Sequence, residues 1–118
     1  MEKFTIRLPL TSEYLTTVRL TTGGICALAG FDVDSTEDYK VCVTESLLIL
    51  KRNGFQLATV VFTVGESLNA EITGDLWQET QSESLEDEIS RALLSALIGE
   101  VQFVKADNGK IQKIVFEG

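Results

Sequence analysis

The residues best equipped for chemistry in this 118-residue chain are two thiols, Cys26 and Cys42, and a surplus of carboxylates. Eighteen Asp and Glu stand against ten Lys and Arg, there is no histidine, and the formal charge is −8. Without imidazole the chain has no ordinary neutral-pH base and no histidine zinc ligand, and two isolated cysteines fall short of a structural metal site. Both cysteines lie on the apolar faces of predicted helices, so they read first as buried free thiols and second as a disulfide. Glu45 reads as a helix carboxylate with Lys51 and Arg52 nearby. Carboxylates also gather in one run, Glu79, Glu83, Glu86, Asp87 and Glu88. Such a run suits the first turn of a helix through the helix dipole, and it equally suits contact with a basic partner. Charge of this sign repels phosphate backbones and anionic membranes, which argues against nucleic-acid and membrane partners, and it keeps a protein soluble.

These groups must be positioned by a packed domain. Apolar residues form 44% of the chain and Pro9 is its one proline, the balance of a globular core of single-domain size. No apolar run approaches the roughly 20 residues a bilayer span needs, and the N-terminus lacks the basic-then-apolar pattern of a secretory signal, so the cytoplasm is the expected setting.

Phe4 to Leu10 alternates as a half-buried strand ending at Pro9. Thr11 or Ser12 can cap a first helix carrying Leu15, Val18, Ile25, Cys26 and Ala29 up to Gly30; Gly23 and Gly24 inside it predict a bend or close packing on a neighbour. Asp34 to Glu37 has capping-box spacing and predicts the start of a second helix, whose stripe Tyr39, Cys42, Val43, Leu47 and Leu50 runs to Lys51-Arg52-Asn53-Gly54. Gln56 to Val64, a turn at Gly65 to Leu68, and Asn69 to Thr73 predict a hairpin. A polar stretch from Gly74 to Ser84 follows. A second capping signal, Thr80 to Glu83, then opens a third helix with Leu85, Ile89, Leu93, Ala96 and Leu97 on its core face before Gly99. Val101 to Val104 and Ile111 to Phe116 flank Asn108-Gly109, the strongest short hairpin signal. The expected fold is an α/β domain of the α+β two-layer kind, in the order β-α-α-β-β-α-β-β, with a mostly antiparallel or mixed sheet and three helices on one face.

That order resembles the histidine-kinase-type (GHKL) ATPase fold, in particular its compact anti-sigma-factor serine kinases. Leu8-Pro-Leu-Thr-Ser-Glu-Tyr-Leu-Thr-Thr-Val-Arg-Leu20 looks like the family's opening strand and helix. Glu37-Asp-Tyr-Lys-Val-Cys-Val-Thr-Glu-Ser46 looks like its second helix, and Leu93 to Val101 resembles its last helix passing into a strand. The resemblance implies one domain over residues 1–118 and a nucleotide pocket around Glu45, Ile49, Asp75 and Trp77. In that family a Glu on the second helix is followed four residues later by an Asn that helps hold magnesium. Here the fourth residue after Glu45 is Ile49, which offers no oxygen to a hard cation. The family's Asp-x-Gly-x-Gly is matched only by Gly74-Asp-Leu-Trp-Gln-Glu79, where Asp75 stands for the adenine-binding aspartate and Leu76 and Trp77 replace open backbone with bulk. The later glycine-rich phosphate lid is absent.

The pocket is therefore expected to be vestigial, with no catalytic residue, no cofactor and no metal, and Glu45 is either a remnant of the general base the resemblance implies or a plain solvated helix carboxylate. Leu76 or Trp77 is expected to cover the apolar surface of Leu48 and Ile49. Trp77 is either a core residue doing so or an exposed partner-binding anchor. The function implied is a non-catalytic regulatory domain of a bacterial anti-sigma kind that binds a sigma factor or its antagonist, with a homodimer accompanying it. An active ATP-dependent serine/threonine kinase is the second reading, and an α/β domain unrelated to that family is the third.

Overall fold

The computed structural model describes residues 2–79 and 84–118. β1 (Glu2–Pro9) leads into α1 (Ser12–Leu28), whose outgoing turn closes at Gly30 in a left-handed conformation (φ 82°), with the Phe31 amide donating to Cys26 O at 3.0 Å. Gly23 sits where α1 approaches α2: a Cβ there would meet Lys40 Cε at 2.9 Å. Gly23 thus packs closely against the Lys40 side chain, one of the two roles the sequence suggested for the pair, whereas Gly24 has no atom of another element within 4 Å of its would-be Cβ.

α2 (Val33–Arg52) starts earlier than the Asp34–Glu37 signal implied. Asp32 is the N-cap, with extended backbone (φ −77°, ψ 178°), and its Oδ1 accepts the Ser35 amide at 2.7 Å. Those bonds to the ionised form hold the Asp32 carboxyl below its ordinary value. Glu37, freed from capping, takes Lys40 Nζ at 3.2 Å one turn on. The stripe Tyr39, Cys42, Val43, Leu47 and Leu50 is buried as its spacing required, and Ser46 and Ile49 join it. Tyr39 donates to Leu68 O at 3.0 Å and meets Phe31 and Phe116 edge-on, tying α2 to both strand ends of the core. Cys26 and Cys42 are buried and free, so no disulfide joins them.

β2 (Phe55–Val64) and β3 (Leu68–Trp77) form the central hairpin. β3 runs past Thr73, correcting the loop expected from Gly74: Gly74 pairs with Ala58, Asp75 with Leu57 and Trp77 with Phe55. Position 74 takes glycine because a Cβ there would meet the Phe55 ring at 2.5 Å. α3 (Ser84–Ile98), β4 (Val101–Lys105) and β5 (Ile111–Glu117) complete the chain, with Gly109 (φ 81°) in the last turn. The capping signal at Thr80 to Glu83 lies outside the described residues.

Among the described residues all strand pairings are antiparallel, in the order β1-β2-β3-β5-β4. The architecture is thus the α+β sandwich and element order expected, compatible with a GHKL-like fold, with three helices over one sheet face. Alternation explains the layering. Ala58, Val60 and Phe62 of β2, Leu68, Ala70 and Ile72 of β3, and Ile114 and Phe116 of β5 are all buried against the helices. On the other face, Lys113 of β5 pairs with Glu71 of β3.

α3 departs from its sequence pattern. Leu85, Ile89 and Leu93, expected in the core, are exposed, whereas Asp87, Ser90 and Leu94 are buried. The helix is rotated because Asp87 and Ser90 bond to the end of α2.

Candidate functional site

The second helix delivers its functional side chains on one line. Glu45, Ile49, Arg52 and the C-cap Asn53 follow one another at intervals of four, three and one along α2 and its end, so they reach that end on the side that faces α3. Arg52 Nε donates to Asp87 Oδ1 at 2.7 Å, and its NH2 group donates to Ser90 Oγ at 2.6 Å. Ser90 Oγ in turn donates to Glu45 Oε1 at 3.2 Å. Asn53, the C-cap of α2, donates from Nδ2 to Ile49 O at 2.8 Å and to Asp87 Oδ2 at 2.9 Å, while its Oδ1 accepts the Ile111 amide of β5 at 3.1 Å. The Asn53 carbonyl accepts the Trp77 indole N–H at 2.8 Å. One polar cluster thus joins α2, α3, β3 and β5. Every buried side-chain nitrogen and oxygen among the described residues has a partner, so the cluster carries no orphaned group.

The pocket residues expected from sequence divide. Glu45 and Trp77 both reach this cluster, and Ile49 enters it through its carbonyl while its side chain is fully buried. Asp75 does not join them. It lies one residue on from inward-facing Gly74, on the opposite sheet face, and pairs with Arg7 Nη2 across β2 at 3.1 Å. Strict alternation would send Trp77 to that same face. Leu76 has φ 53°, a left-handed conformation rare outside glycine, and this turn brings the indole to the end of α2 instead. Leu76 itself is exposed, so it is not the cover over Ile49. Trp77 is 42% exposed and its indole bonds the backbone at the C-cap of α2, a position between a core residue and a free anchor. Gly54 (φ 102°) makes that contact feasible, since a Cβ there would lie 2.8 Å from Trp77 Nε1.

Sequence reasoning had Arg52 and Asn53 as generic helix-end residues, and Asp87 as part of a surface acidic run. Ser90 is not marked by residue type alone. The usable clue was spacing: Asp87 and Ser90 stand three apart on one helical face, opposite Leu85 and Ile89, which is the pattern of a polar helix contact.

The thiols are chemically quiet. Burial pushes Cys42 up to about 12, with Asp38 and Glu45 adding to the rise; burial pushes Cys26 up to about 11, with Lys40 opposing it. Tyr39 is likewise raised, chiefly by burial. The cluster as built holds two helices and the sheet in a fixed relation, and each of its carboxylates is engaged by a donor.

The class this geometry defines is an antiparallel α+β domain, with three helices and five strands among the described residues and a polar joint between the second and third helices. No family model matches the chain. Over 55 residues it is 34% identical to the serine-protein kinase RsbW of Listeria monocytogenes, a stretch covering 47% of this chain and 35% of that protein. The serine-protein kinase RsbW of Listeria innocua matches with the same figures. The chain therefore spans about a third of the length of the curated relatives it matches. None of the helices described is long and apolar enough to cross a membrane.

Proposed function

We propose that this chain is a protein-binding regulatory domain of the anti-sigma kind, built on a histidine-kinase-type ATPase scaffold and without nucleotide chemistry of its own. The observation that carries the reading is Ile49. It stands one helical turn beyond Glu45, where the resembled family places a magnesium-binding amide, and its side chain is fully buried. Three further features agree. Glu45 is engaged by Ser90, Asp75 points to the other sheet face toward Arg7, and Arg52 is committed to Asp87 and Ser90. The partial similarity to a serine-protein kinase supports the regulatory setting and, taken alone, favours the second reading, an active kinase. The proposal carries with it a single domain over residues 1–118, a cytoplasmic setting, a sigma factor or its antagonist as partner, and self-association as an accompanying state.

A thermal melt with magnesium ATP and with ADP separates the readings. A ligand at 100 times its dissociation constant adds about 2.7 kcal/mol to stability, enough to raise Tm by several degrees in a domain of this size. The expected outcome is an unchanged Tm at millimolar nucleotide. A rise of several degrees, specific to ATP or ADP, refutes the proposal and selects the kinase reading.

A further inference from the structure

We infer that the outward face of α3 is a docking surface for a basic amphipathic helix of a protein partner. The inference rests on the reading above that the chain acts by binding protein, and it specifies the surface and the chemistry that fits it. Leu85, Ile89 and Leu93 recur at i, i+4 and i+8 and are 66%, 54% and 38% exposed, with the exposed Ala92 and Ala96 between and beyond them. This apolar stripe is about 12 Å long, two turns of helix. At 100° per residue, the exposed Glu86, whose carboxylate lies 3.9 Å from the Arg52 guanidinium of α2, is on one flank of the stripe and the exposed Glu88 is on the other. The sole cation of α3, Arg91, is turned away, its guanidinium 5.4 Å from the centre of the Phe103 ring.

The orientation of α3 is what makes the stripe informative. Rotating the helix roughly half a turn would bury three large side chains, the arrangement its sequence period predicts. The fold instead buries Asp87 and Ser90 against Arg52, Asn53 and Glu45 and leaves the apolar face outward. A local pattern overruled by a specific polar joint marks a place where the sequence serves something other than folding.

The flanking charges choose the occupant. Carboxylates on both sides of a leucine-isoleucine stripe complement a helix with its own apolar stripe bordered by Lys or Arg, and such charge matching steers encounter and fixes register. A second copy of this chain would set the four glutamates of two such faces together with no cation from either α3. An anionic lipid surface would be repelled by the same carboxylates.

The test uses the full chain and a fluorescent synthetic peptide of about 16 residues, long enough to present a helical face, with a leucine stripe bordered by lysines. Its counterpart carries glutamate for every lysine. Binding is read by anisotropy at physiological salt and mapped by amide chemical shifts. The lysine peptide is expected to bind, to shift residues of α3, and to lose at least about tenfold in affinity with Ile89→Glu, a loss typical of an interface anchor. Glu86→Gln with Glu88→Gln should weaken binding severalfold and flatten its salt dependence. Both variants alter exposed side chains, and an unchanged Tm confirms that each is folded. Several results overturn the inference: no binding, equal binding of the glutamate peptide, shifts confined to α1 or the open sheet face, or indifference to Ile89→Glu. Self-association abolished by Ile89→Glu, or binding of the chain to neutral lipid vesicles, overturns it in favour of another occupant. A nucleotide-induced Tm rise sinks the regulatory reading while leaving the peptide result standing, so the two failures are distinguishable.

Discussion

Replacing Asn53 with alanine tests whether the joint between α2, α3 and β5 holds the fold together. The side chain makes three hydrogen bonds, and their losses differ. Ile49 O keeps the Asn53 amide as a donor at 2.9 Å, so losing Nδ2 there costs little. The Ile111 amide, buried in β5, is left without its Oδ1 acceptor, a cost of about 1–3 kcal/mol. Asp87 Oδ2 loses its donor while Oδ1 keeps Arg52, and a bond to a charged group is worth about 1.5–3 kcal/mol. The Trp77 indole binds the backbone carbonyl and is unaffected. The sum is about 2.5–6 kcal/mol, a large share of the 5–15 kcal/mol typical of whole domains. Urea unfolding followed by circular dichroism gives the value directly, with an unchanged slope showing that the loss lies in the native state. A double variant with Asp87→Ala should be less destabilised than the two single changes added together, because the shared bond is then counted once. A loss under about 1 kcal/mol for Asn53→Ala, with strict additivity in the double variant, refutes the argument.

Two further outcomes follow from other sites. Trp77→Ala should destabilise by about 2 kcal/mol, below the 3–5 kcal/mol of a fully buried large aromatic because the ring is partly in water, and Trp77→Phe should lose about 1 kcal/mol for the indole bond; equal melts for all three proteins would contradict the contact with Asn53. The raised thiols Cys26 and Cys42 hold their protons longer in the folded than in the unfolded chain. Their contribution to stability is therefore complete below about pH 9 and lost as pH rises through about 11 and 12. Urea midpoints should fall from pH 9 upward, and an aromatic disulfide reagent at pH 8 should label the native protein slowly and the unfolded chain at once; rapid native labelling would show that the thiols are accessible.

The second helix and the hairpins were legible because burial there follows one period: Tyr39, Cys42, Val43, Leu47 and Leu50 have a single possible inward side, and Asn108-Gly109 has few alternatives to a turn. Three features were hidden for distinct physical reasons. Gly74 and Asp75 have turn-forming composition, but pairing with Ala58 and Leu57 kept them in the strand, a choice made by tertiary contacts. That continuation then decided the fate of Asp75, since strand alternation placed it opposite Glu45. In α3 the apolar period identified the more hydrophobic face, yet the face buried is the one whose Asp87 and Ser90 meet partners some 35 residues away in sequence. Local spacing carries no record of such pairing. The Asp34 capping signal lost to Asp32 because the same motif chemistry recurs two residues earlier, where the chain is already extended.

The strand order β1-β2-β3-β5-β4 also constrains how quickly the domain can assemble. β2 and β3 are joined by the short turn Gly65 to Ser67, whereas Ile72 and Ile114, neighbours across β3 and β5, are about 40 residues apart along the chain. Closing the longer loop costs about 2 kcal/mol more in chain entropy than closing the short one. α3 and β4 must both be threaded into place before that closure is repaid by contacts. The central hairpin is thus the natural early structure, and the β3–β5 seam and the still longer-range β1–β2 pairing, in which Ile6 meets Val60, are the slower steps. During that interval the edge of β3 is unpaired, and an unpaired apolar strand is the species most prone to aggregate as the chain is made.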